Sequence, residues 1–577
     1  MVPSAKLARA GWALCAFGSA PFISGEALAQ AAPGRIAPET LRPQTPQTGT
    51  DIVLPEVQFG AVPAGAADLS VTVSSIVVDG GTPEFQPAID EATATVVGKQ
   101  VTIAELYAVA SRIEAAYARA GHVLVRVTVP PQRIRDGEAF RIMIVDGFIE
   151  AVDVSAIPAR AREAVRRRAA TLIGARGLTL SKIERHVLLA GQVPGVTLRS
   201  TLVRGEAVGA TRLVLNAEWK PLALTVSAEN NIGSAFGNLA FSAQLSLNNV
   251  FGQGEQVYAQ ATTGRDLGTL FQPFPNRRVV GVGAVVPLGA NGLTFNPEYT
   301  VVDTNPMVPA RALTTTGKFK RVALRLQYPL VHSRSQTIDL TGGLDLVSEL
   351  SVASQFGVAL SRDRLRIANF GIKWSGRVGS NSGFTSDLQF SQGLAGLGAR
   401  TQADARASGT PLSRQGSQPD FSRLSARLRL DRQLGAGFTA TGIVRGQTSL
   451  SGALPTVGQF SLDGGEGLSG LSQGSVNVDT GMATRAELSR AVAIGKKAPL
   501  VVTPYGFAAY ATGRLSQPTV AEARSREGWS AGGGARVLLN PGFGGVIGYG
   551  AVEVSRNHVS TVPRDTTRVV ASLSFRV

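Results

Sequence analysis

"NLAFSAQLSLNN", residues 238–249, alternates almost without error. Leu239, Phe241, Ala243, Leu245 and Leu247 fall on one side of an extended chain. Asn238, Ser242, Gln244, Ser246 and Asn248 fall on the other, with Ala240 neutral. Period two means a β-strand with one apolar and one polar face. The fold turns on whether that apolar face covers a core or meets lipid.

The first residues bear on the answer. Lys6 and Arg9 precede an apolar run from Ala10 to Ile23, and "ALA" at 27–29 offers a small-residue cleavage site before Gln30. This is the pattern of a secretory signal, 1–29, and the run is too short for a membrane span. The only cysteine, Cys15, lies inside it, with Trp12 making a poor lipobox. The mature chain therefore carries no thiol chemistry and no disulfide. His122, His186, His332 and His558 are scattered, without metal-ligand spacing, so neither a metal nor a cofactor is expected. The best candidate for a membrane helix, Val279 to Pro297, is uncharged but is broken by Pro287 and several glycines. An exported chain without a membrane helix can still be integral to a membrane as a closed barrel.

Of 57 basic and 41 acidic side chains, removal of Lys6, Arg9 and Glu26 leaves 55 and 40. No basic run interleaved with aromatics supports nucleic-acid binding, and export argues against it.

Residues 30–66 are rich in Pro, Thr, Gln and Gly and read as a leader or linker, with room for one short helix. From 67 to 150 the order is strand, helix, helix, strand, strand. "TIAE" at 102–105 is a capping box, with Thr102 as N-cap, and Gly121 closes the helix behind it. The order recurs over 151–221, with "IEAVDVSA" (149–156) as first strand, an arginine-rich helix, and a second capping box from Ser181 to Glu184.

From Leu222 to Val577 no convincing helix occurs. "RLSARLRLDRQ" (423–433) sets Leu424, Ala426, Leu428 and Leu430 against Arg423, Arg427, Arg429 and Asp431. "RVALRLQY" (321–328) sets Val322, Leu324, Leu326 and Tyr328 against Arg321 and Arg325. The last strand presents Val569, Ala571, Leu573, Phe575 and Val577 together. A soluble sandwich of this length would split into domains, whereas a transmembrane barrel needs repeated strands that are apolar outside and polar inside. Three arginines on one face suit a wet lumen, so the apolar face meets lipid. The aromatic content of 6% implies a thin interfacial girdle.

"VPPQRIRDGEAFRIMIVDGFIEAV" (129–152) resembles the first POTRA domain of two-partner secretion transporters, the haemolysin and filamentous-haemagglutinin exporters. Residues 230–264 resemble the first barrel hairpin of that family, with Asn249, Val250, Phe251 and Gly252 in place of Asn-Pro-Leu-Gly. "YPL" at 328–330 and the terminal strand also fit. The resemblance implies two α+β POTRA domains (βααββ), 67–150 and 151–221, in the periplasm. An all-β transmembrane barrel of 16 antiparallel strands, 222–577, would follow in the bacterial outer membrane. It implies no enzyme activity. One large secreted, mostly β-helical partner, an adhesin or cytolysin, would dock along the POTRA sheet by strand addition and cross the lumen of a monomer. An assembly factor for barrel proteins, or a passive pore with a periplasmic binding region, are the alternatives. Only two POTRA-like units fit before residue 221, which favours secretion.

The family's loop motif, Val-Arg-Gly-Tyr or Val-Arg-Gly-Phe after a glycine pair, maps to "FSLDGGEGLSGLSQGSVNVDTG" (460–481). Gly464, Gly465 and Gly470 keep the frame, but the motif reads Leu468, Ser469, Gly470, Leu471. On the facing strand, "TPYGFAAYATGRL", the expected aspartate is Ala511, two residues before Gly513. Both ends of the family's ion pair are missing together, which avoids stranding one charge. Arg485 or Arg514 could take the missing cation's place. Leu124, Arg126 and Val127 are expected in the partner groove. Arg321, Arg325, Arg423, Arg427 and Arg429 are expected to set the field of the lumen or to pair with luminal carboxylates. The 468–471 loop is expected to gate the lumen.

Overall fold

The computed structural model describes residues 32–43, 62–307, 313–495, 500–539, 546–562 and 564–577, and the backbone of 51–53. The expected signal segment and its cleavage site lie outside the described residues. In chain order the first elements are a one-turn helix, α1 (Pro33–Ile36), and a strand, β1 (Asp51–Val53).

The first α/β unit follows. Strands β2 (Ser70–Thr72) and β3 (Ser75–Asp79) lead to helix α2 (Gln86–Ala94), then β4 (Gln100–Thr102), α3 (Ile103–Arg119), β5 (Arg126–Thr128) and β6 (Ala139–Val145). α3 starts where the sequence says it must. The Thr102 N–H donates to Glu105 Oε2 at 2.6 Å, and the Glu105 N–H returns to Thr102 Oγ1 at 3.2 Å. Leu106, Val109, Ile113 and Tyr117 recur at helical spacing and are buried with Phe140 and Ile142 of β6. The sheet runs β3–β6–β5, which leaves β5 as an edge.

The second unit is β7 (Phe148–Asp153), α4 (Ala159–Ala169), α5 (Leu180–Gly191), β8 (Val196–Arg204) and β9 (Ala210–Trp219). α5 departs from the expected start. Thr179 is its N-cap without a side-chain capping bond, Ser181 lies inside the helix, and Glu184 is drawn away by Arg334, whose Nε donates to it at 2.8 Å. The sheet order is β1–β8–β9–β7, so β1 lies parallel to β8 at its open edge.

The remaining strands close a barrel, beginning with β10 (Leu222–Glu229) and β11 (Ala240–Asn248). β10 closes on the final strand Thr566–Arg576, from Thr225 opposite Arg576 to Glu229 opposite Ser572. Thr480–Arg490 and Val492–Ile494 are one strand broken at Ala491, since both pair with Leu500–Arg514; counted so, the barrel has sixteen antiparallel strands. Short turns lie at the end nearest the α/β units, and longer loops at the far end. One far-end loop carries a helix that the all-strand reading did not expect, α6 (Gln402–Ser408), capped by Thr401 and Asp404.

The alternation of β11 resolves as outside and inside. Leu245 is exposed at 39%, as are Leu324, Leu326, Leu428, Leu430, Val569 and Leu573 on other strands. Ser242, Gln244 and Ser246 point inward, where Ser242 meets Thr262 and Gln244 donates to a backbone carbonyl in the lumen. An apolar outer surface repeated around a closed barrel is the pattern lipid demands. Among the described residues no helix is long and apolar enough to cross a membrane.

Candidate functional site: a lumen closed by a leader and a loop

Two segments fill the lumen. The first is 32–43, seated by backbone contacts. The Gly34 N–H donates to Glu349 Oε1 at 3.0 Å, and a Cβ on Gly34 would lie 2.9 Å from the same carboxylate, which would have to shift to admit it. Arg321 donates to Pro38 O and Arg325 to Glu39 O, both at 2.8 Å. Glu298, buried between Arg321 at 3.1 Å and Arg325 at 3.3 Å, accepts the Leu41 N–H at 2.8 Å. Gln244 of β11 donates to Leu41 O at 2.8 Å. Inward glycines complete the seat, because a Cβ at Gly281 would strike Leu41 and one at Gly317 would strike Pro33. Ile36 is buried with Val302, Phe319, Val347, Leu365 and Leu454 in an apolar layer across the lumen.

The second segment is the loop between the strands Phe438–Ser449 and Thr480–Arg490. It folds on itself. Asp463 accepts from Ser461 Oγ, Gly474 N–H, Ser475 Oγ and Val476 N–H at 2.7–3.2 Å. Wall arginines then hold it. Arg423 donates to Gly458 O at 2.9 Å, Arg427 Nε to Glu466 at 2.7 Å, Arg445 to Asp463 O, and Arg568 to Ser472 Oγ at 2.6 Å. Gly464 takes the left-handed turn with φ of 97°. Gly470 sits where a Cβ would lie 2.1 Å from Asn557 Nδ2, and Val478 rests on Gly513 and Gly481.

The altered motif lies at the centre. Arg485 on the wall donates to Ser469 Oγ at 2.9 Å and to Glu553 Oε2 at 2.8 Å. Ser469 Oγ in turn donates to Glu553 Oε1, and Tyr505 OH to Glu553 Oε2 at 2.9 Å. The Arg485 guanidinium lies 3.6 Å above the Phe507 ring, and Glu487 links it to Arg536. Where the family resemblance leads one to expect an aspartate, Ala511 is fully buried in an apolar cluster with Leu462, Leu468, Ala483 and Val559. Leu471 packs against the same cluster. A cation does stand at this point, Arg485 of the wall, while Arg514 is exposed.

The sequence-selected residues divide by environment. Arg321 and Arg325 hold the leader; Arg423 and Arg427 hold the loop. Arg429 pairs with Asp431 of its own strand at 2.8 Å and reaches neither segment. In the first α/β unit, Leu124 and Val127 are 4% and 5% exposed and belong to core clusters, so their side chains are withdrawn from any groove. Only Arg126 is partly exposed, 3.6 Å from Glu114. The Val127 N–H on the β5 edge donates to Glu114 Oε2 at 2.9 Å. Sequence reasoning missed Glu298, Glu349, Arg445, Asp463 and Glu553. For Glu298, Glu349, Arg445 and Glu553 a signal was present, a charged residue at an inward position of an otherwise regular strand; Asp463 lies in the loop and carries no such signal. Among the described residues no cluster could hold a metal ion.

Comparison with known proteins agrees with this architecture. A model of the ShlB-type POTRA domain matches residues 71–147. The "Heme/hemopexin transporter protein HuxB" of Haemophilus influenzae (strain 86-028NP) is 25% identical over 163 residues, 28% of this chain and 29% of that protein. The "Outer membrane transporter CdiB" of Escherichia coli is 24% identical over 289 residues, 49% of this chain and 47% of that one. The sequence matches therefore span less than half the length of either curated relative. Among solved structures, CdiB from Escherichia coli superposes with a TM-score of 0.71 at 20% identity, covering 95% of this chain and 94% of that one. CdiB from Acinetobacter baumannii gives 0.60 at 15% identity, covering 88% and 90%. These show the same fold. The family model described as "Haemolysin secretion/activation protein ShlB/FhaC/HecB" matches residues 209–537, and the chain belongs to that family of outer-membrane transporters with periplasmic POTRA domains.

Proposed function

We propose that the chain exports one secreted partner protein across the outer membrane, taking it up in extended form at the POTRA sheets and passing it through the lumen once leader and loop withdraw. The observation that carries this reading is that the lumen is shut by two segments held through side-chain and turn contacts rather than by the wall itself. Each can leave without breaking the barrel ladder. The β5 edge is the proposed entry for an added strand, since main-chain hydrogen bonds there demand little of the partner's sequence. Glu114 now occupies the outward Val127 N–H, and the arriving strand would replace it. Folding of the partner outside disfavours its return. The partner is proposed to be large and mostly β-helical, and a monomer of this chain suffices because one chain closes the pore.

The test compares proteins of the culture medium and the outer membrane with and without this chain. Loss of one large protein from the medium, with barrel proteins constant, is the expected result. A joint fall of many barrel proteins would make it an assembly factor, and no change in either would leave a pore.

A further inference from the structure

The arginines of α4 take no part in the lumen, yet they are not an evenly solvated face. α4 sits against the first near-end turn of the barrel, residues 249–254. Asn249 Nδ2 donates to Arg160 O at 2.9 Å, and Arg167 Nη2 donates to Gln253 O at 3.1 Å. Arg168 is 7% exposed, its guanidinium lies against Gly254, and its Nη1 has no hydrogen-bond partner. Burial, with Arg167 beside it, pushes the Arg168 guanidinium down to about 10.

The nearby carboxylates are already committed. Glu255 accepts the Phe251 and Gln253 N–H groups at 2.7 and 2.9 Å, and Glu163 is taken by Arg166 at 2.8 Å. Beside this turn α4 therefore carries three arginines, the buried Arg168 and the exposed Arg160 and Arg167, with no anion of the described chain paired to them. A buried cation without a counter-charge is costly, and an anion from outside would relieve it.

The position says which anion. The tip of the same turn exposes Val250 at 39% and Phe251 at 74%. Directly above, Leu222 and Leu245 are exposed on the lipid-facing side of β10 and β11. An apolar tip continuous with the lipid-facing band, flanked by cations just below it, matches the level of a phospholipid head group.

We propose that α4 and the 249–254 turn bind the head group of an anionic phospholipid of the periplasmic leaflet, with Arg160 and Arg167 on its phosphate and Phe251 among its acyl chains. The lipid thereby bridges the second POTRA domain to the barrel at its first hairpin.

The test is native mass spectrometry of the purified full chain in detergent, with phosphatidylglycerol or phosphatidylcholine added. The wild type should retain phosphatidylglycerol preferentially. R160Q/R167Q should weaken that binding about thirtyfold, roughly fivefold for each arginine near a lipid surface. Phe251→Ser should weaken both lipids alike. Both arginine side chains are exposed, and retention of heat-modifiable migration on gels checks that the variants fold. Equal retention of the two lipids by the wild type would overturn the proposal. So would unchanged phosphatidylglycerol binding by the double variant, including the case in which that variant loses only the exported partner. Competition by free glycerol phosphate as effective as the lipid itself would also overturn it, leaving a free-anion site.

Discussion

Ser469 at the loop tip accepts a hydrogen bond from Arg485 of the wall at 2.9 Å, joining as a neutral hydroxyl a charged cluster whose ion pairs all close within the wall. The loop carries no cation where the family resemblance expects one, and the cations of this cluster stand on the barrel wall. At this one point, withdrawal of the loop strands no buried charge and costs on the order of one or two hydrogen bonds.

That arrangement predicts the outcome of an arginine swap. Ser469→Arg alone sets a second guanidinium against Arg485 and should loosen the loop by about 3–5 kcal/mol, the scale of an uncompensated buried charge. S469R combined with R485S should restore closure, because the cation returns to Glu553 from the other side. S469R with A511D should recover less, since Ala511 lies at 0% exposure among apolar side chains. Conductance in planar bilayers orders the variants, and equal conductance of the single and swapped forms would sink the argument.

Gly470→Ala should also loosen the loop, by about 1–3 kcal/mol of overpacking, because its Cβ would lie 2.1 Å from Asn557 Nδ2. Gly465→Ala is the control, with no atom within 4 Å of the added methyl. Limited proteolysis of the loop should accelerate for the first variant and stay at the wild-type rate for the second.

Glu298→Gln removes the carboxylate that holds Arg321, Arg325 and the Leu41 N–H together. The leader should leave the lumen more often, read as raised conductance and faster cleavage near residue 41. Arg429→Gln should change neither measurement appreciably. Its pair with Asp431 is more than a third exposed on both sides and contributes less than about 1 kcal/mol.

The second α/β unit should weaken in mild acid. His186, partly buried, has its pKa held below the ordinary 6.5 mainly by burial, with a further push from Arg185. The unfolded chain therefore takes up a proton as pH falls through 6.5 before the folded one does, and stability declines over that window. Thermal unfolding of wild type and His186→Asn at neutral and mildly acidic pH should show the decline only in the wild type.

Much of this was legible from the residues. Period-two alternation in 238–249, 321–328 and 423–433 placed the lipid and lumen faces correctly, because a one-residue slip would turn every side chain over. The capping box at Thr102 was legible because both partners are local. The one expected at Ser181 failed because Glu184 has a tertiary partner, Arg334, 150 residues away. The cation at 485 was visible as a candidate, but its pairing with Glu553 joins two different strands and no local spacing encodes it. Leu124 and Val127 were placed in a groove since strand alternation alone does not say which of two layers covers a side chain.

The hub at Asp463 has a mechanical consequence. Four donors of the loop itself converge on one carboxylate, so the loop keeps its shape when its wall contacts are broken. Under the proposed gating it swings as a rigid stopper and does not pay out like a slack rope. The aperture it governs is then either shut or fully cleared, and single-channel records should step between discrete levels without graded intermediates.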